Sequence, residues 1–263
     1  MPKPKGYVDQ AYLQAAAKRV KHIKKASYER MQIKPGHKVL DVGCGPGTDT
    51  ITLGRIVGPS GQVVGIDYDE GMIAQAELRA KEEGIEKWIT HQRADVASLP
   101  FDSDYFDSCR SERLFQHLPN YEQALSEMTR VTKPFGWVIV VDTDWGTLSI
   151  DTTEVSIERR LVQFFTECYM HNGYSGRQLY RQFKGQNLMD ISVEMFPNYV
   201  LSYAIAQESG IMEKAVQEAL AAGVLTDDEL RRFHEGLEEA DTQGLFFASF
   251  SMIMVAGRKL NLS

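Results

Sequence analysis

The stretch VLDVGCGPGTDT, residues 39–50, puts three glycines in five positions directly behind a short apolar run. Nothing else in the chain restricts its fold as strongly. An apolar run, then bare backbone, then a helix start is the opening of a βαβ unit whose loop a ligand approaches closely. The glycines are Gly43, Gly45 and Gly47, spaced G-x-G-x-G. A dinucleotide loop reads G-x-G-x-x-G, and its third glycine would fall at position 48, where this chain has Thr48. That one-residue difference argues against a nicotinamide cofactor.

The rest of the first half repeats the same rhythm. HKVLDVG is a buried strand, and Gly47-Thr48 opens a helix to about Val57. GQVVGIDYD is a second strand, followed by a helix with Asp69 as N-cap and Gly84 past its end. WITHQRAD and YFDSCRS are the third and fourth strands. Asn120 and Gln123 resemble a capping box for the next helix, and GWVIVVDTD is a fifth strand. Alternation of this kind means a doubly wound, mostly parallel sheet with helices on both faces. Ahead of it, Tyr12, Ala16, Val20 and Ile23 recur at helical spacing, which predicts a helical lid within residues 1–31. Behind it, helices are expected over 151–171, near 176–186, over 207–222 and from the capping box at Thr226–Glu229, with strands DISVEMF and LFFASFSMIMVAGRK between and after them. The chain reads as one domain over 1–263. It has a cofactor core at 37–145 and helical cap insertions at 151–175 and 197–243.

Three carboxylates fall at successive strand ends: Asp41, Asp67 and Asp95. In a doubly wound sheet that rim is where ligands sit. An acidic side chain one βαβ unit after the loop can accept both hydroxyls of a ribose. A diphosphate would meet like charges here, with no Arg or Lys in the loop. A sulfonium bearing an amino acid and an adenosine suits the rim far better, which points to S-adenosylmethionine.

VLDVGCGPG, VVGIDYDEGMIAQA, ADVASLPFDSDYFD and EMTRVTKPFGWVIVVD resemble, in this order, the first five motifs of class I S-adenosylmethionine-dependent methyltransferases. Within them the chain is most similar to the small-molecule branch that includes ubiquinone/menaquinone C-methyltransferases. The resemblance implies a Rossmann-like, seven-stranded sheet whose last strand inserts antiparallel. It also implies that Gly43, Cys44, Gly45 and Gly47 lie along the methionine moiety and that Asp41 orients its ammonium through the loop. Asp67 would bind the ribose, Tyr68 and Met72 would flank the adenine, and Asp95 and Val96 would meet its edge. Ser111 would line the sulfonium end, and Tyr12 would clasp the cofactor from the lid, although helix packing explains Tyr12 equally well. His117, a few residues past strand four, is the expected general base or substrate anchor. Glu112, Arg113, Asp142, Asp144, Trp145, Tyr169 and His171 are candidates for the acceptor pocket.

The composition narrows the partners. With 29 Lys and Arg against 36 Asp and Glu, the net charge of −7 gives no electrostatic reason to bind nucleic acid. The place after strand four reads CRSER rather than the Pro-Pro-aromatic tetrad of amino-directed DNA methyltransferases. Three cysteines without close spacing argue against a disulfide framework, and no metal site is expected. No apolar run is long enough to span a bilayer. The expectation is a cytoplasmic enzyme that methylates a small organic acceptor at O, N or C, and a homodimer is compatible with it. A catalytically silent S-adenosylmethionine-binding module is the alternative, and a nicotinamide oxidoreductase the less favoured one.

Overall fold

A computed structural model describes residues 20–186, 188–208 and 211–261. The expected lid helix is seen from Lys21–Arg30 (α1); Tyr12 and the rest of the lid lie outside the described residues. The core then alternates β1 (Lys38–Val42), α2 (Thr48–Val57), β2 (Gln62–Asp67), α3 (Glu70–Glu82), β3 (Ile89–Arg93), β4 (Phe106–Glu112), α4 (Tyr121–Val131) and β5 (Thr132–Ile150). After it come α5 (Val155–Phe164), α6 (Ser175–Gly185), β6 (Met189–Val200), α7 (Tyr203–Gln207), α8 (Ile211–Ala221), α9 (Asp227–Thr242) and β7 (Ala248–Arg258).

The seven strands form one sheet in the order β3-β2-β1-β4-β5-β7-β6. β1 is parallel to β2 and β4, with Val42 level with Ile66 on one side and Ser111 on the other. β7 runs antiparallel between β5 and β6. Because β1 and β4 lead away in opposite directions, a crevice opens at their carboxyl ends. The central strands are buried on both faces, so they read as unbroken apolar runs. α4 and α6 cover one face through Leu125, Met128, Leu179 and Phe183. α1 and α2 cover the other through Ile23, Ile51, Leu53 and Val57.

Local signals hold where the backbone alone decides them. Asp69 caps α3 by accepting from the Gly71 and Met72 amides. Thr226 and Glu229 close the reciprocal capping box of α9. The Asn120 side chain makes no such bond, so the box expected there does not form. Boundaries shift where pairing overrides pattern. β5 continues past Asp144 to Ile150, through a register break between Asp144 and Ser149, because β7 is there to pair with it. β6 likewise extends to Val200, so residues 197–200, expected in the second insertion, are strand. On α5 and the π-helical turn after it, Ile157, Leu161, Val162 and Phe165 are buried, whereas Val155 and Cys168 are exposed. Val155 opens the helix and points to solvent before the packed face begins. α5, α7, α8 and α9 share a second core of Ile157, Leu161, Val216, Phe233, Leu237 and Phe246.

Candidate active site

The glycine loop has the backbone its sequence demands. Gly43, Gly45 and Gly47 have φ of +73°, +51° and +76°, the left-handed region that favours glycine. The third glycine also serves packing, since a Cβ on Gly47 would lie 2.8 Å from that of Ala76 in α3. Around Gly45 a Cβ would meet nothing within 4 Å, so the loop backbone is open on that side. Asp67 ties the loop to the end of β2: its two oxygens accept from the Gly45 and Asp69 amides, each at 2.9 Å. Burial raises its pKa against those hydrogen bonds. Cys44, Met72 and Val96 are buried on the cavity wall, and burial also raises the Cys44 thiol well above its ordinary range. Tyr68 is half exposed, with the Arg93 guanidinium 5.1 Å from its ring centre. Asp95 is exposed and accepts from the Ala97 amide at 2.9 Å.

Behind the loop lies a charge cluster that the sequence did not reveal. Arg110, fully buried in β4, meets Asp41 at 3.1 Å, Asp49 at 3.2 Å and Glu112 at 2.7 Å. Lys24 of α1 meets Asp49 at 2.6 Å and Glu112 at 2.8 Å, and the Tyr28 hydroxyl donates to Asp49. Burial pushes the Asp41 carboxyl up, and its share of Arg110 does not offset that. Burial would raise Asp49 too, but Lys24 and Arg110 together hold it well below the usual carboxylate range. Asp41 therefore faces Arg110 rather than the cavity, and its Oδ2 has no partner among the described residues. Any action of Asp41 on a ligand ammonium is then one exerted through the loop, as expected of it. Arg110 is committed to three carboxylates, so a diphosphate in the loop would gain nothing from it.

A single cavity of about 1420 Å³ runs from this loop to α7, α8 and α9. Small-molecule pockets are usually about 300–1,000 Å³, so this one has room for two ligands side by side. Glu112, Arg113, His117 and Trp145 are on its wall. His117 ends the short 3₁₀ turn Phe115–His117, directly after β4. Arg113 has φ of +55°, a strained value for a non-glycine residue that turns the chain at the strand end. The Trp145 indole donates to Gln116 at 2.6 Å and stacks on Phe250.

Six other described candidates are not on that wall, the first being Gly47, which packs on Ala76. Ser111 is fully buried in the sheet between Val42 and Val140, and the rim position expected of it falls to Glu112. Asp142 is fully buried and accepts from the Gln116 and Thr143 amides. Asp144 is buried against Arg177 at 2.6 Å. Tyr169 is buried behind Phe165, and His171 is exposed away from the cavity. The polar wall residues that sequence reasoning missed include Lys24, Asp49, Gln116, Tyr203 and His234. Lys24 and Tyr28 stand one helical turn apart, a faint signal inside a run that reads as a solvated basic face.

Asp142 carries a pH expectation. Burial pushes its carboxyl up to about 7 from an ordinary 3.8. The folded chain then keeps a proton that the unfolded chain has lost. This contribution is complete below about pH 4 and fades as the pH rises through about 7, with a slope of at most about 1.4 kcal/mol per pH unit. Urea midpoints should fall from about pH 5 to about pH 7, and Asp142→Asn should remove much of that fall. An unchanged slope in the variant would contradict the assignment.

Comparisons with known proteins bear on the family and the fold. A family described as a methyltransferase domain matches residues 33–194. The chain is 30% identical over 258 residues to an uncharacterized 37.1 kDa protein of a Streptomyces fradiae transposon, covering 98% of this chain and 72% of that one. It is 38% identical over 130 residues to a demethylmenaquinone methyltransferase of Bacillus cytotoxicus, covering 49% of this chain. The match spans only about half of that relative, 54% of its length. Among solved structures, the YcgJ protein of Bacillus subtilis superposes with a TM-score of 0.65 at 19% identity, over 92% of this chain and 99% of that one, a likeness of fold.

Proposed function

This chain belongs to the methyltransferase domain family, and on that premise we propose that it transfers a methyl group from S-adenosylmethionine to a small, largely apolar organic acceptor. One observation carries the reading: a single cavity joins the open glycine loop to an apolar wall contributed by the outer helices. The loop fits the cofactor. Its backbone is open at Gly45. Asp67 spends one lone pair of each oxygen on the protein and keeps others for the two ribose hydroxyls. Met72 and Val96 offer apolar faces for an adenine, and the exposed Asp95 can accept from its amino group.

When bound, S-adenosylmethionine supplies an electrophilic methyl on a sulfonium. The protein has to align an acceptor with it and keep water out. Leu161, Phe165, Phe233 and Phe246 give the apolar enclosure, which is why we read α5 and α7–α9 as a cap over the acceptor. His117 stands on the wall just past β4, where it can take a proton from a phenol, ammonium or acidic carbon. Glu112 and Arg113 shape the same rim. No helix among the described residues is long and apolar enough to cross a membrane. With the net charge of −7, this favours a cytoplasmic enzyme of small-molecule metabolism over one that binds nucleic acid. A homodimer is our reading of its assembly, to be checked by light scattering.

Asp67→Ala tests the cofactor reading. It removes charge-assisted hydrogen bonds worth about 1.5–3 kcal/mol each, so S-adenosylmethionine should bind at least about tenfold more weakly by calorimetry. Unchanged affinity in the folded variant would sink the assignment.

A further inference from the structure

The wall of the cavity far from the glycine loop carries a polar pair that neither the loop nor the β4 rim uses. Tyr203 opens α7, His234 lies inside α9, and both are on the cavity wall. The Tyr203 hydroxyl meets Nδ1 of His234. Around them Phe233, Leu237 and Phe246 are almost wholly buried and line the same space. In apolar surroundings a phenol and an imidazole have to satisfy each other. Gln207 donates to the hydroxyl oxygen, which favours the hydroxyl as the donor to Nδ1. Burial pushes the Tyr203 pKa up to about 12, with Glu238 and Glu213 adding to a rise that a hydrogen bond from Gln207 opposes. We take the hydroxyl as donor and Nδ1 as acceptor. With Nδ1 accepting, the imidazole carries its N–H on Nε2, which has no hydrogen-bond partner among the described residues. An N–H donor is left beside the apolar side chains of Phe233, Leu237 and Phe246.

The charges around the cavity say what that donor can bind. The cations on the wall, Lys24, Arg93 and Arg113, belong to the loop end. Lys24 is held by Asp49 and Glu112, Arg113 lies beside Glu112, and Arg93 covers Tyr68. The charged residue that α7–α9 contribute to the wall is Glu213. A carboxylate or phosphate ester at this end would meet that negative charge with no cation to balance it.

We propose that His234, held in one tautomer by Tyr203, binds a neutral carbonyl or hydroxyl oxygen on an otherwise apolar acceptor. The cap thereby selects uncharged oxygenated ring compounds over carboxylates and phosphate esters. His234 is a specificity-determining residue and Tyr203 a positioning one. The inference rests on the acceptor reading above, but its test needs no methyl transfer and stays readable if that reading fails.

The test is equilibrium dialysis of the whole chain with three naphthalene probes: 2-acetonaphthone, 2-ethylnaphthalene and 2-naphthoate. The ketone should bind about two- to tenfold more tightly than the hydrocarbon, the worth of one net hydrogen bond, and the carboxylate should bind weakest. His234→Phe should abolish the ketone's advantage while the hydrocarbon's affinity persists, which also reports that the variant is folded. Tyr203→Phe should shrink the same advantage by freeing the tautomer. A ketone preference that survives His234→Phe, a carboxylate that binds best, or no binding by any of the three overturns the proposal.

Discussion

Arg110→Met should lose about 3–5 kcal/mol of stability, the usual cost of removing one partner from a buried ionic group. For a chain of this size that is a fall of roughly 6–20 °C in Tm. The reason is geometric. One guanidinium, with no exposed surface, answers Asp41, Asp49 and Glu112 from β1, α2 and β4. Without it, Lys24 still reaches Asp49 and Glu112, but Asp41 is left buried with neither oxygen paired. Its remaining recourse is to hold a proton, so the deficit should be smaller in acid than near neutrality. Arg110→Lys should not rescue it, because a single ammonium cannot present two separated nitrogens to three carboxylates. Cofactor affinity should fall along with stability, since Asp49 and Glu112 also line the cavity. A variant that melts within about 2 °C of the parent would show the cluster to be dispensable.

His117→Ala should lower methyl transfer by roughly 10²–10⁴ while S-adenosylmethionine affinity stays nearly intact. That split separates a base from a structural histidine, whose loss would disturb both. The expectation applies to acceptors that carry a proton at the moment of attack, so the assay should run over quinols, phenols and amines. For these the parental rate should climb with pH as the imidazole deprotonates, and the variant's profile should lose that limb. The base assignment is falsified if the variant keeps parental turnover on every acceptor the parent methylates. Catalysis would then rest on alignment alone.

The parts of this molecule legible in its sequence are those specified locally. Gly43, Gly45 and Gly47 announce their left-handed backbone, Asp69 and Thr226 their caps, and Asp67 its place at a strand end. Each depends on neighbours within a few residues, or on a period that the strand imposes. The charge cluster depends on pairs such as Asp41 with Arg110 and Lys24 with Glu112, which the order of strands brings together and no local pattern encodes. Arg110 sits in a strand, where an arginine reads as an edge or surface residue, yet it has no solvent exposure. The same blindness explains Asp142 and Asp144. They follow an apolar run toward the rim and look like pocket residues, but the Gln116 amide binds one oxygen of Asp142 and Arg177 one oxygen of Asp144 inside the protein. His234 was hidden for another reason: α9 joins the cavity only by packing on α5 and α7.

The place of β7 has a consequence for the order in which the molecule can be completed during synthesis. β6 touches the sheet through β7 alone, and β7 is the last strand in chain order, separated from β6 by three helices. While the ribosome is still extending α7, α8 and α9, the nascent chain holds an open edge on β5 and a β6 strand with nothing to pair with. Such unpaired edges are what chaperones shield and what aggregates recruit. The register from Trp137 with Arg258 to Ile150 with Ala248 can then close only after translation has passed Arg258. Assembly of the half of the sheet that carries the outer helices thus waits until β7 has been made, whereas the β1–β4 half, with its glycine loop, can form well before.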